Sequence, residues 1–260
     1  MICREIIKKL EAIAPVNYAE KWDNVGLLVG DDSIDVKRIM IALDPSKDVI
    51  DQAIEQGCNM IITHHPLIFS PMKRITTDDF IGRRIVSMIK HGIAYYAMHT
   101  NMDIAVMAQV SANMIGINDT VVIEPTSKED QTIGIGRCGE LDSQIDLLTL
   151  ANKVKEQFHL SDVRVIGELE QKVSRVAIST GSGEDFVKHA LQMKADVLIT
   201  GDIRHHKALD ALEQGLCIID AGHFGTERFM VEWLASRLGK ELPSEISIMT
   251  AKEFTPFKIV

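Results

Sequence analysis

Uninterrupted apolar runs and helically spaced apolar residues alternate along the first half of the chain. The uninterrupted runs predict buried strands at 38–43, 59–63 and 93–98. Between them, apolar residues recur every three or four positions and predict helices from Asp44 to Gly57 and from about Asp78 to Gly92. We place Asp44 at the N-cap of the first helix, with Pro45 in its first turn. Strands that alternate with helices indicate a parallel sheet with helices on its faces.

The same pattern returns in the second half of the chain. Three pairs of predicted strands match in spacing, and they begin at Arg38 and Arg175, Asn59 and Asp196, and Gly92 and Gly215. We infer an internal duplication, with halves 1–126 and 127–260 and the polar run 126–131 as the linker. The predicted fold class is therefore α/β: duplicated α/β units with largely parallel sheets flanked by helices.

Composition narrows the class of protein. The 260 residues are 46% hydrophobic and 25% charged, as is usual for a soluble globular protein. A formal net charge of −9 argues against general nucleic-acid binding, which needs a basic surface. Charged residues near the amino terminus do not fit a signal peptide, and no apolar stretch approaches membrane-spanning length. We expect a cytoplasmic protein without membrane association, whose four scattered cysteines are reduced thiols.

The second predicted strand ends in two adjacent histidines, His64 and His65, followed by Pro66. Successive side chains of a strand point to opposite faces, so two neighbouring imidazoles converge only where the strand breaks up. Pro66 favours such a break, because it holds the preceding residue extended and has no N–H to donate. Taken alone, the pair is more ordinarily a polar strand end that faces water.

Other predicted strand ends carry imidazoles and carboxylates too: His99, Asp103, Asp202, Asp220, His223 and Glu227. His223 and Glu227 are four residues apart at the start of a helix and share one face, although that spacing alone is typical of a solvated helix start. Open parallel sheets bind ligands outside the carboxyl ends of their strands. We therefore predict a metal site at the strand carboxyl ends, in the cleft between the two halves.

The number of candidate ligands is larger than one metal ion requires. A catalytic zinc takes about three protein ligands and keeps one position open. Five candidates with a carboxylate able to bridge suit two divalent ions roughly 3.5–4 Å apart. We expect two ions per chain, drawn from Zn, Fe or Mn, on His64, His65, Asp103, His223 and Glu227.

Four motifs then show a resemblance. Trp22–Leu27, Thr63–Leu67, His99–Asp103 and Gly222–Glu227 resemble, in this order, the motifs of the Nif-three-like family. Its members are commonly labelled GTP cyclohydrolase 1 type 2 homologues. The resemblance spans nearly the whole chain and implies one ion on His64 and His223, the other on His65 and Asp103, and a bridging Glu227. It also implies a toroidal homohexamer with sites facing an internal cavity, in the compact form that lacks an inserted domain.

Several residues keep two interpretations. His99 is either an outer-shell partner or acid of the site, or a structural histidine at a strand end. Asp202 and His206 either contact substrate or cap the following helix. The segment Thr180–Gly183 either cradles a phosphate or forms an ordinary strand-to-helix turn.

The function that these expectations favour is hydrolysis of a small nucleotide-like substrate by a metal-activated water, as the resemblance to GTP cyclohydrolase 1 type 2 implies. The alternative is a non-catalytic protein that binds or delivers metal, or regulates a partner by interaction.

Overall fold

The computed structural model describes residues 1–259. Its helices are α1 (Cys3–Ile13), α2 (Lys47–Glu55), α3 (Phe80–Lys90), α4 (Thr100–Met102), α5 (Ala108–Ile115), α6 (Leu147–Gln157), α7 (Val187–Gln192), α8 (His205–Glu213), α9 (His223–Glu227) and α10 (Phe229–Glu241). Its strands are β1 (Gly26–Val29), β2 (Arg38–Ala42), β3 (Met60–Thr63), β4 (Ala94–Ala97), β5 (Asn118–Pro125), β6 (Gly134–Asp146), β7 (Arg164–Ile166), β8 (Lys172–Ser182), β9 (Val197–Gly201), β10 (Cys217–Asp220) and β11 (Ser247–Thr250). A π-helix, Asp103–Met107, joins α4 to α5. Within residues 1–259, every helix is too short or too polar to cross a membrane.

The chain forms two compact units. The first contains residues 1–102 together with the segment from Phe229 onward, and the second contains Asp103–Arg228. The first unit holds a sheet of order β1-β4-β3-β2-β11, and the second holds a sheet of order β5-β6-β8-β9-β10-β7. The predicted α/β class, with sheets flanked by helices, is confirmed. The predicted halves, 1–126 and 127–260, describe a repeat in the sequence and stay a prediction. The packing units differ from them, because they divide after Met102 and after Arg228.

In the first unit, the three central strands are parallel and end at one level. In the strand register, Ala42 of β2 lies opposite Thr63 of β3, and Thr63 lies opposite Ala97 of β4. Strand β11 runs parallel to β2, and β1 runs antiparallel to β4. One face of this sheet forms a core with Ile50 of α2 and Ile85 of α3. Residues of both faces are buried, which explains why these strands read as uninterrupted apolar runs.

The second unit repeats this arrangement. Strands β8, β9 and β10 are parallel neighbours, and the short β7 runs antiparallel to β10 as β1 does to β4. A hairpin of β5 and β6 extends the sheet antiparallel to β8. Core residues Val187 and Ala211, from α7 and α8, pack with Leu198 and Ile218 of the central strands. Both sheets thus contain three adjacent parallel strands with a short antiparallel strand on one side, as expected for the inferred duplication.

Side-chain hydrogen bonds repeat as well. The Asn59 side chain accepts from the backbone N–H groups of Lys37 and Arg38, at 3.0 and 3.2 Å. At the equivalent place, the Asp196 carboxylate accepts from Ser174 and Arg175, at 2.8 and 2.9 Å. Each carboxylate or amide therefore ties the start of one parallel strand to the start of its neighbour, in the same way in both units.

Two local predictions are wrong. Helix α2 begins at Lys47, and its N-cap is Ser46, whose hydroxyl accepts from the Val49 N–H at 3.2 Å. Asp44 lies before the helix, because residues 43–46 separate the end of β2 from the start of α2. The polar run 126–131 is the turn of the β5–β6 hairpin and not a linker between units. Ser127 and Asp130 hold this turn, since their side chains accept backbone N–H groups within it.

Candidate metal centre

Two strand ends of the first unit, those of β3 and β4, place imidazoles at one sheet edge, and the end of β2 places Asp44 beside them. Because β2, β3 and β4 end level, the residues that follow them lie side by side. The His65 N–H still donates to the Leu43 carbonyl at 3.0 Å, and the Met98 N–H donates to the Thr63 carbonyl at 2.8 Å. These bonds carry the sheet pairing one residue beyond the strands and fix where His65 and His99 leave it.

Each of the three imidazoles is oriented through Nδ1. His64 Nδ1 lies 2.8 Å from the Met98 carbonyl, His65 Nδ1 lies 2.8 Å from Asp44 Oδ1, and His99 Nδ1 lies 2.8 Å from Asp23 Oδ1. Nδ1–H donation to these oxygens places the lone pair of a neutral imidazole on Nε2, the atom that a metal ion binds. One ligand nitrogen from each ring lies within 4.8 Å of those of the other two.

Glu253, far from Asp44 in the sequence, holds the backbone of Asp44 in place. The N–H groups of Leu43 and Asp44 donate to the two oxygens of Glu253, at 2.6 and 2.8 Å. Ala251 also donates to the Ile41 carbonyl at 2.9 Å, so the segment after β11 stays alongside the end of β2. The carboxylate that orients His65 therefore stands on a backbone whose own N–H groups are bonded.

Asp23 fixes His99. Its carboxylate is fully buried and accepts from His99 Nδ1, from the Thr100 N–H at 3.0 Å and from the Thr100 hydroxyl at 2.6 Å. Burial raises the pKa of Asp23, but the hydrogen bonds from His99 and Thr100 together outweigh it and bring the pKa down from 3.8 to about 2. Asp23 is thus ionised at neutral pH and holds the His99 ring in one orientation.

A buried phenol shapes the turn after β3. The Tyr95 hydroxyl lies 2.6 Å from the Thr63 hydroxyl, accepts from the Leu67 N–H at 2.9 Å and donates to the His65 carbonyl at 2.9 Å. Burial raises the pKa of Tyr95, so the phenol stays protonated and able to donate. This network holds the backbone of His65 where the strand breaks up before Pro66.

The second unit carries its own donor set at its strand ends. His223 and Glu227 lie one turn apart on α9, with His223 Nε2 3.1 Å from Glu227 Oε2. His223 Nδ1 lies 2.9 Å from Asp202 Oδ2, so this ring too is oriented through Nδ1. Asp202 follows β9 with a left-handed φ of 58°, whereas the N-cap of α8 is Arg204. Asp202 therefore orients His223 and does not cap α8, while its predicted contact with substrate stays a prediction.

Glycine is required behind Glu227. Gly181 has a φ of 71°, and a Cβ there would fall 2.2 Å from Glu227 Oε1. Its N–H donates to the Thr226 hydroxyl at 2.9 Å, and the Gly183 N–H donates to the Gly201 carbonyl at 3.2 Å. The N–H groups of Gly181 and Gly183 are therefore engaged within the fold, which favours the ordinary turn over the phosphate cradle. Gly181 lets α9 approach β8 closely enough to bury the Glu227 carboxylate, which is 4% exposed.

Two further predicted site residues also lie in the second unit. Asp103 is the first residue of the π-helix, and the Thr180 hydroxyl donates to its Oδ1 at 3.5 Å. His206 is exposed near the start of α8, with its ring 5.3 Å from that of His205. The roles of Asp103 as a ligand and of His206 in substrate binding stay predictions.

The side chains that support the histidine cluster but were not predicted from the sequence are Asp44, Tyr95 and Glu253. Asp44 carried a visible signal, because it directly follows a buried strand as His64 and His99 do. Tyr95 lies inside an apolar run, where its hydroxyl gives no signal in the sequence. Glu253 acts through pairing between distant segments, which residue patterns do not reveal.

Comparison with known proteins agrees with this architecture. A family model described as Duf34/NIF3 (NGG1p interacting factor 3) matches residues 1–256. A Clostridium perfringens protein named GTP cyclohydrolase 1 type 2 homolog is 37% identical over 263 residues, covering 100% of both chains. The crystal structure of a Bacillus cereus protein related to NIF3 superposes with a TM-score of 0.91 at 27% identity, covering 100% of this chain and 99% of that one. A Staphylococcus aureus hypothetical protein gives a TM-score of 0.90 at 30% identity, with the same coverage.

The family match covers nearly the whole chain, as the four sequence motifs implied. Members of this family are therefore the proteins with which its strand-end histidines and carboxylates should be compared. The chain belongs to the Duf34/NIF3 family.

Proposed function

We propose that the protein is a metal-dependent hydrolase that acts on a small nucleotide-like substrate. The observation that supports this proposal is the shared orientation of His64, His65, His99 and His223. Each presents Nδ1 to a main-chain or carboxylate oxygen. Four imidazoles held in this way have the arrangement of metal-binding or proton-transferring histidines and not that of rings oriented at random by solvent.

The donor chemistry fits divalent ions of the Zn, Fe and Mn class, which bind imidazole nitrogens and carboxylate oxygens. The ligand assignment that we propose is His64 with His223 for one ion and His65 with Asp103 for the other, with Glu227 shared. When bound, such ions supply Lewis acidity, which lowers the pKa of water and stabilises negative charge that develops during its attack.

The residues around the donors have separate tasks in this proposal. Asp44 and Asp202 hold His65 and His223 with Nε2 as the binding atom, so little conformational freedom is lost when an ion binds. His99 is the residue that we propose for proton transfer, because Asp23 fixes its ring beside His64 and His65. The nucleotide-like substrate is proposed from the name that relatives carry, GTP cyclohydrolase 1 type 2 homolog.

A nucleotide panel tests the proposed function. Protein loaded separately with Zn, Mn or Fe is incubated with GTP and the other nucleoside triphosphates, and products are separated by chromatography. We expect turnover of at least one nucleotide by the parent protein and by Glu213→Ala, which removes an exposed carboxylate of α8. Glu227→Ala should lack this activity. Full metal loading with no turnover of any nucleotide would instead favour the non-catalytic metal-binding or interaction protein.

Metal stoichiometry is the first prediction. Five ligands shared between two ions should give close to two Zn, Mn or Fe per chain after loading and removal of excess metal. Inductively coupled plasma mass spectrometry on protein of known concentration measures this ratio. Folded protein that saturates at one ion per chain would rule out the dinuclear assignment.

Assembly is the second prediction. We propose a homohexamer, as the family resemblance implied. Large apolar side chains at Phe254, Phe257 and Ile259 are 86%, 77% and 74% exposed, and such a surface is commonly covered by another chain. Light scattering coupled to gel filtration should give a mass near six chains at micromolar concentration. A monomeric mass under these conditions would contradict the proposal.

A further inference from the structure

Two large aromatic side chains stand exposed in loops of the first unit. Trp22 is 57% exposed and Phe69 is 53% exposed. Their ring centroids lie 5.8 Å apart with planes inclined by 48°, so they pack against each other and not into the core. Side chains of this size usually bury most of their area, and an exposed pair therefore indicates a surface that binds a ligand or another chain.

The two loops are fixed. The Asn24 side-chain amide donates to the Ile68 carbonyl at 2.5 Å, which ties the loop of Trp22 to that of Phe69. Asp23 is bonded to His99 and Thr100, and the Glu20 N–H donates to the Thr100 hydroxyl at 2.9 Å. The residues on both sides of Trp22 are thus anchored at the strand end that carries His99, so the ring position is set before any ligand arrives.

The pair borders the histidine cluster. The Trp22 ring lies 6.0 Å from the His99 ring in an edge-on arrangement. The His99 ring in turn lies 5.2 Å from His64 and 5.6 Å from His65. A flat group resting on Trp22 would therefore lie one side chain away from the imidazole proposed for proton transfer.

Positively charged residues lie close to the pair in the sequence. Lys21 precedes Trp22, and Lys73 and Arg74 follow Phe69 by four and five residues, all of them exposed. Within the described residues 1–259, none of these three cations has an ion-pair partner, although the chain as a whole carries a net charge of −9. Unpaired cations in the same loops as exposed rings favour a ligand that combines a flat ring with negative charge.

We propose that Trp22 and Phe69 form the ring-binding part of the substrate site, for a planar heteroaromatic ring that carries a phosphate group. Because the metal donors and these aromatic residues are different side chains, the two parts of the site can be tested separately. This proposal rests on the proposed function for the substrate class, and it names the residues that recognise the ring.

Fluorescence provides a direct test. The chain has two tryptophans, so Trp233→Phe leaves Trp22 as the remaining indole. Stacking of a purine on Trp22 should quench this emission in a saturable way when GMP is added. Ribose 5-phosphate carries the charge without the ring and should not quench.

Variants then assign the effect. In calorimetric titrations with GMP, Trp22→Ala and Phe69→Ala should each bind about 5- to 100-fold more weakly than the parent, as expected for a lost stacking contact. Trp22→Phe keeps a ring and should retain most of the affinity. Phe80→Ala removes an aromatic residue of α3 that is 55% exposed, about as much as the pair, and should bind as the parent does.

The outcomes separate this proposal from the proposed function. Unchanged GMP affinity in folded Trp22→Ala and Phe69→Ala, with two ions bound, would overturn the aromatic site and leave the hydrolase proposal standing. The aromatic site would also be overturned if ribose 5-phosphate bound the protein as tightly as GMP does. It would be overturned, too, if the variants lost only their assembly in light scattering, since a second copy of the chain would then cover the pair. Weakened GMP binding in the variants, with no nucleotide turned over by the parent, would support the site and contradict the hydrolase.

Discussion

Replacing Glu227 by alanine is expected to abolish stable binding of both metal ions while the fold persists. In the proposed assignment this carboxylate is shared, so its loss removes a ligand from each ion and the group that holds them together. The loss of affinity should exceed the roughly 10–100-fold effect that is usual for outer-shell residues. Metal content after gel filtration, together with circular dichroism, measures both parts of the expectation.

Two comparison variants test the shared role of Glu227. His223→Ala should weaken mainly the ion proposed on His64 and His223 and spare the ion on His65 and Asp103. His99→Ala, which removes no assigned ligand, should reduce affinity by about 10–100-fold without abolishing binding. Glu213→Ala serves as the matched carboxylate control. Wild-type affinity for both ions in Glu227→Ala would show that the bridge is wrongly assigned.

Replacing Asp23 by asparagine is expected to lower the free energy of unfolding by about 2–3 kcal/mol at pH 7. The amide has no charge to pair with His99 and cannot accept on both sides as the buried carboxylate does. Its effect should depend on pH. Since the pKa falls from 3.8 in the unfolded chain to about 2 in the folded protein, the ionised form stabilises the fold fully above about pH 4, by about 2 kcal/mol. This contribution is lost as the pH falls from about 4 towards 2.

Thermal denaturation followed by circular dichroism at pH 7, 4 and 3 checks the prediction for Asp23. The difference between parent and Asp23→Asn should shrink at the lowest pH, whereas Asp210→Asn, at an exposed position of α8, should match the parent throughout. In a His99→Ala background the same substitution should cost less, because the pair no longer exists. A constant difference at all three pH values would mean that the ionised carboxylate is not the stabilising group.

Residue patterns predicted those parts of the fold that depend on local burial. The central strands are buried on both faces, so they appear in the sequence as apolar runs, and His64 and His65 stand out because such a run ends at them. Parallel neighbours also end at one edge, which explains why the strand-end histidines could be grouped from their positions in the chain alone.

Other features depend on pairing between distant segments and leave no local pattern. Asp23 and His99 are 76 residues apart in the chain, and the apolar periods around them do not show that they meet. The repeat in the sequence likewise does not reveal that α10 and β11 pack with the first unit. Gly181 resembles an ordinary turn glycine until the Glu227 carboxylate is seen beside it.

The pairing of β2 with β11 imposes an order on synthesis and folding. The contact between Leu43 and Glu253 spans 210 residues, so the last strand of the first sheet leaves the ribosome only after the entire second unit. Until then β2 is an edge strand with unpaired backbone groups, open to pairing with other chains. Contacts of such long sequence separation also slow folding, because a large loop must close before they form. The second unit, continuous in sequence, has no such delay, and the backbone support of Asp44 beside His65 is the part completed last.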